Sequence, residues 1–144
     1  MPRATFTHRV STTRSAADIW DRLQDAATWS GIGGVDEVWD PVHDESGRLR
    51  SYRWRAGPTR QTGTATVVAS EPESRIEMAL DGGEVAGLLT ATMEQNGSVT
   101  ALVVSLEIAS QGPLSAVVFP FVAEAIRRGL PEQVDRFVAA LEND

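Results

Sequence analysis

The chain has 144 residues, 42% hydrophobic and 23% charged, enough for one domain over 1–144 and typical of an ordinary soluble globular protein. A formal net charge of −7 repels phosphate backbones, so nucleic acid is not an expected partner, and no apolar run reaches the ~18–20 residues of a membrane span. With no Cys, no Lys and only His8 and His43, the chain lacks thiol and disulfide chemistry, iron–sulfur sites, Schiff-base or phosphate-loop lysines and a three-His metal site, so no metal and no cofactor is expected.

The opening stretch MPRATFTHRV has no apolar run of the signal-peptide kind, which places the chain in the cytoplasm by expectation. Phe6, His8 and Val10 alternate with Thr5, Thr7, Arg9 and Ser11, predicting a first strand over 4–12. Ser15-Ala-Ala-Asp18 has the form of a capping box. The helix after it, from Ala16 to about Asp25, puts Ala16, Trp20 and Leu23 on one face. Ala26 to Trp29 adds a short second helix or turn, and the glycines of Gly31–Gly34 end it.

From Val35 onward the signals are those of strands. Strand two covers Val35–Val42, and Asp44–Gly47 turns the chain. Strand three, Arg48–Ala56, sets Arg50, Tyr52 and Trp54 against Ser51, Arg53 and Arg55. Gly57-Pro58 is a turn, and the Thr- and Val-rich stretch Thr59–Ser70 is strand four. Strand five, Arg75–Leu80, points Ile76, Met78 and Leu80 inward. Asp81-Gly82-Gly83 and Asn96-Gly97 are hairpin signals on either side of strand six, Val85–Glu94. Strand seven is Ser98–Ala109. A meander joined by hairpins implies an antiparallel sheet.

The last element is a long helix, Leu114–Glu142, with a proline near its first turn. Ile126, Leu130, Val134, Phe137 and Leu141 form one apolar stripe, and Glu124, Arg128, Glu132, Asp135 and Glu142 lie opposite. Its first half differs, since Val117 to Ala123 is apolar on every side apart from Pro120. Such a turn must be covered all round or must line an enclosed space. A sheet that curls around the helix satisfies both halves.

Four stretches resemble the START-related, Bet v 1-like (SRPBCC) superfamily, in particular its bacterial polyketide cyclase/dehydrase branch. They are Ser15–Asp25, Ala27–Val35, Val67–Pro72 and the closing run from Gly112-Pro-Leu-Ser115 to Glu142. The resemblance implies an α+β helix-grip fold, with a seven-stranded antiparallel sheet around a long C-terminal helix and two short helices between strands one and two. It also implies an apolar cavity, closed by the short helices and the strand loops, that takes lipids, polyketides or similar molecules. Pro120 and Pro131 depart from the pattern, so the helix is expected to start late or to kink near Ala116 or Arg127.

Alternation and the apolar half-helix together propose a ligand-binding wall of Tyr52, Trp54, Met78, Leu80, Leu89, Val118, Phe121, Val122 and Ala125. The same residue types also build ordinary core. Trp29 joins them, because it precedes glycines that could gate an entrance. Thr62, Thr64 and Thr66 could offer hydroxyls or simply fill a strand, and His43-Asp44-Glu45 reads as a solvated turn with nothing to shift its pKa. Two functions stand side by side. One is a carrier for a small hydrophobic ligand. The other is a cyclase or aromatase, for which His8, Tyr52, Arg53 or Arg55, and Glu107 are the groups at hand. A protein-interaction module, as a homodimer or a co-chaperone-like domain, is a third reading, favoured by an exposed apolar patch above several hundred Å2.

Overall fold

The structure is a computed structural model that describes residues 3–32, 35–56 and 61–143. Its strands are β1 (Arg3–Thr12), β2 (Val35–His43), β3 (Leu49–Ala56), β4 (Gln61–Glu71), β5 (Arg75–Asp81), β6 (Val85–Asn96) and β7 (Val99–Ser110). Between β1 and β2 stand α1 (Ala16–Leu23) and one turn of 3-10 helix (Ala26–Trp29), and the long helix α2 (Pro113–Glu142) comes last. All pairings are antiparallel, in the order β1-β7-β6-β5-β4-β3-β2. With α2 packed on β1 and β7, this is the helix-grip arrangement. No helix among the described residues is long and apolar enough to cross a membrane.

Local chemistry explains the boundaries. Ser15 Oγ accepts from the Asp18 N–H at 3.1 Å, as the S-x-x-D spacing implies, and Asp25 Oδ1 caps the 3-10 turn at the Ala27 N–H. Gly83 and Gly97 have φ of +84° and +65°, the left-handed conformation that tight hairpin turns require. The expected turn at Gly57-Pro58, the strand start at Thr59 and the glycines Gly33 and Gly34 lie outside the described residues.

Alternation places the core. Ile76 and Met78 of β5, Leu89 of β6, and Leu102, Val104 and Leu106 of β7 are buried on one face of the sheet. Ile126, Leu130, Val134 and Leu141 of α2 cover them, joined by Val138, which the sequence stripe omitted; Phe137 is half-buried at its edge. His8 Nε2 meets Asp135 Oδ1 at 2.8 Å, a polar tie between β1 and the same part of α2.

Three expectations change. Arg50 does not share a face with Tyr52 and Trp54. The β2–β3 register jumps from Val42↔Ser51 to His43↔Leu49, so Arg50 sits in a bulge and points outward while Leu49 and Tyr52 both turn inward. The late start of the long helix does not occur. It begins at Pro113, where no N–H partner is needed, and stays helical through Pro120 and Pro131. Pro120 lies on the exposed side, where water can serve the carbonyl that its missing N–H leaves free. Finally, the apolar first half of α2 is not covered all round, because Val117 and Phe121 remain 73% and 77% exposed.

Candidate functional site

Where the first half of α2 lies over the sheet, a cavity of about 1060 Å3 opens between them. Small-molecule pockets span roughly 300–1,000 Å3, so this one is at the large end. Trp54 and Ala56 of β3, Leu80 of β5, Val85, Ala86 and Gly87 of β6, and Leu106 and Ile108 of β7 make the sheet wall, with Val35 at its margin. Val117, Val118, Phe119, Phe121, Val122, Ala125 and Ile126 make the helix wall. Gly87 and Ala56 leave volume where larger side chains would have met the helix. The exposure of Val117 and Phe121 makes the helix wall accessible to solvent.

Only three lining residues among those described, Gln61, Glu84 and Ser115, carry polar side chains other than the Trp54 indole. The β5–β6 turn gathers them. The Gly82 carbonyl accepts from the Gln61 amide Nε2 and from the Glu84 N–H. Ser115 Oγ donates to the Glu84 carbonyl at 2.8 Å and lies 2.6 Å from Ser110 Oγ, so its hydroxyl is fully engaged. The Glu84 side chain rests against Gly112, the N-cap of α2, where an added Cβ would come within 2.6 Å of Glu84 Oε1. The bare glycine therefore makes room for the carboxylate. A negative group there is also favoured by the helix dipole.

Of the residues proposed from sequence, Trp54, Leu80, Val118, Phe121, Val122 and Ala125 come together on the cavity wall. Trp29, Tyr52, Met78 and Leu89 do not, and are packed in the core instead. Trp29 is an anchor rather than a gate: its indole N–H donates to the Leu23 carbonyl at 3.0 Å. No described residue of α1 or the 3-10 turn lines the cavity, so the short helices do not close it as the resemblance implied. Burial pushes the Tyr52 phenol well above its usual pKa.

The groups considered for catalysis also lie elsewhere. His8 is engaged by Asp135. Arg53 and Arg55 stack over the Trp39 ring, 5.8 and 5.4 Å from its centre, and Arg55 pairs with Glu37 at 2.9 Å. Glu107 points outward near Arg3. Thr62, Thr64 and Thr66 are exposed on the outer face, which removes them as ligand hydroxyls. His43 Nε2 meets the Gln24 carbonyl at 2.8 Å and so ties β2 to the end of α1. Contrary to expectation, Asp44 is perturbed. The Ser46 hydroxyl, then the Arg48 N–H, hold its carboxyl below the usual value, which fits a turn-forming role.

Glu84 and Gln61 are the site residues that sequence reasoning missed. Glu84 directly follows the Asp81-Gly82-Gly83 hairpin signal and Gln61 lies within the expected strand four, and neither position carries a local mark of a site. The available signal was the small residue Gly87, inward-facing in line with Leu89 and Ala91, since a glycine inside a strand marks close approach or space.

The family described as polyketide cyclase / dehydrase and lipid transport matches residues 3–142. No curated protein matches the chain in sequence. Solved structures do. A START superfamily protein from Mycobacterium smegmatis is 17% identical with a TM-score of 0.70, covering 95% of this chain and 98% of that one. A conserved protein from Geobacillus kaustophilus is 12% identical at 0.71, covering 97% and 96%. Norcoclaurine synthase from Thalictrum flavum is 12% identical at 0.62, covering 96% and 87%. At such identities the likeness shows the fold alone.

Proposed function

The chain belongs to the polyketide cyclase / dehydrase and lipid transport family, and from that premise we propose that the cavity between the sheet and α2 binds a small hydrophobic molecule, a lipid, polyketide or similar compound. The observation that carries this reading is the volume of about 1060 Å3 walled almost wholly by apolar side chains. Apolar surface that the fold leaves uncovered gains free energy when a ligand covers it. Trp54, Leu80, Val118, Phe121, Val122 and Ala125 are the residues proposed to touch the ligand.

A cyclase or aromatase in the same cavity needs a group positioned for proton transfer. His8, Tyr52, Arg53, Arg55 and Glu107 are not on the wall, and Glu84 is the one ionisable side chain on it among the described residues. The carrier reading asks for no such group and is preferred.

The test is titration with phenylnaphthylamine, a neutral apolar dye that fluoresces when shielded from water. One saturable site is expected. Dye at a hundredfold excess over its Kd should raise folding stability by about 2.7 kcal/mol, seen as a higher Tm. Absence of saturable uptake sinks the proposal.

A further inference from the structure

The polar groups of the cavity are not scattered. Gln61 and the Glu84 backbone meet at one carbonyl, that of Gly82, and the Glu84 side chain lies at Gly112, the N-cap of α2. From Ser115 to Ile126 the helix wall then runs about 16 Å with apolar side chains only. The cavity thus has a polar end and a long apolar body.

The polar end is weighted towards acceptors and negative charge. Ser115 has its hydroxyl engaged, as described above, and Gln61 spends one of the two N–H of its amide on Gly82. What remains is the second N–H and the oxygen of the Gln61 amide and the two carboxylate oxygens of Glu84; these three oxygens make no hydrogen bond or ion pair among the described residues. The three oxygens are acceptors when Glu84 is ionised, and they outnumber the one N–H that is left. No Lys exists in the chain, and no described Arg or His lines the cavity.

We infer that Glu84 and Gln61 form an anionic, acceptor-rich terminus that selects amphiphiles ending in a hydrogen-bond donor, an ammonium or a hydroxyl, over those ending in a carboxylate. This rests on the cavity-binding reading and names the ligand class for it. An ammonium placed there gains a charge-assisted hydrogen bond in a partly desolvated setting. A carboxylate meets a like charge, and the single N–H left on Gln61 does not replace the water it loses, while the Trp54 indole N–H is itself buried.

The test displaces bound phenylnaphthylamine with dodecylamine, dodecanol and dodecanoate, each below its aggregation limit and at neutral pH. These share one apolar chain and differ at the polar end. In the wild type, dodecylamine should compete about tenfold or more better than dodecanoate, with dodecanol between them. Glu84→Gln should collapse that ratio. Glu124→Gln removes the same unit of charge from the outer side of α2, where Glu124 is paired with Arg127 and Arg128, and should leave the ratio intact.

Failure of the dye to bind saturably rejects the cavity reading itself. Saturable dye binding with dodecanoate equal to or better than dodecylamine rejects the acceptor terminus alone. So does an amine preference that Glu84→Gln leaves unchanged or that Glu124→Gln also abolishes, because net charge would then be its source. Should Glu84→Gln not fold, salt decides on the wild type. A contact at a partly buried terminus keeps most of the amine preference at molar salt, whereas a preference that vanishes there comes from the acidic surface and overturns the inference.

Discussion

Trp54 lies flat against the sheet because its neighbours have no side chains. A Cβ at Gly63, its partner across β3 and β4, would overlap both the indole and the Asp81 carbonyl oxygen. A Cβ at Gly82 would come within 2.8 Å of the ring edge. The indole N–H is buried without a partner among the described residues, a cost of about 1–3 kcal/mol that the packing of the ring must offset. Gly63→Ala should therefore act on stability and on the site together. The Asp81 oxygen belongs to the backbone and cannot swing away, so the strand or the indole must shift, at about 1–3 kcal/mol for an overpacked position. A lower urea midpoint by circular dichroism and a weaker affinity for phenylnaphthylamine are both expected, since Trp54 is part of the cavity wall. An unchanged midpoint would mean that the glycine is not what seats the indole.

The helix α2 does two jobs along its length. From Ile126 to Leu141 it clamps the sheet, with Leu130 and Val134 almost fully buried. The His8–Asp135 pair lies at the rim of this clamp and is half-exposed, so packing rather than charge supplies the hold. From Val117 to Ala125 the helix is cavity wall; Phe119 is buried there, but Val117, Val118, Phe121 and Val122 are exposed and have few packing partners to lose. Alanine substitutions should separate the jobs. Leu130→Ala removes a packed core side chain and should cost about 2–5 kcal/mol in denaturant unfolding. Phe121→Ala removes a larger side chain, yet its stability should change by no more than about 0.5 kcal/mol, while the dye affinity falls. Equal destabilisation by the two variants would contradict this division of the helix.

For the molecule as a whole, what the sequence made legible was periodicity. Two-residue alternation with Asp-Gly and Asn-Gly turns marked out the meander, and the stripe from Ile126 to Leu141 marked the clamp, because these signals are local. Whether an inward-facing residue becomes core or cavity wall is not local. Tyr52 and Trp54 are both inward and buried on β3, yet Trp54 lines the cavity and Tyr52 is packed in the core, a difference that depends on what lies opposite each. The polar end was illegible for the same reason, since it assembles the start of β4, the β5–β6 turn and the start of α2. Composition, by contrast, bears on the molecule directly. Without Cys or Lys and with one Tyr, Tyr52 is the only side chain that titrates between about pH 8 and 12, because arginine stays charged throughout. Its burial raises the folded pKa above the unfolded value of about 10. The sign follows: the folded state holds a proton that the unfolded state releases, so the Tyr52 contribution is complete below about pH 10 and is lost as pH rises. One proton corresponds to a fall in stability of about 1.4 kcal/mol per pH unit over that range. Urea unfolding measured at stepped alkaline pH should show this slope, and tyrosinate absorbance should appear only together with loss of the circular dichroism signal. A phenol that ionises near its ordinary value while the fold persists would show that Tyr52 is not sealed in the core.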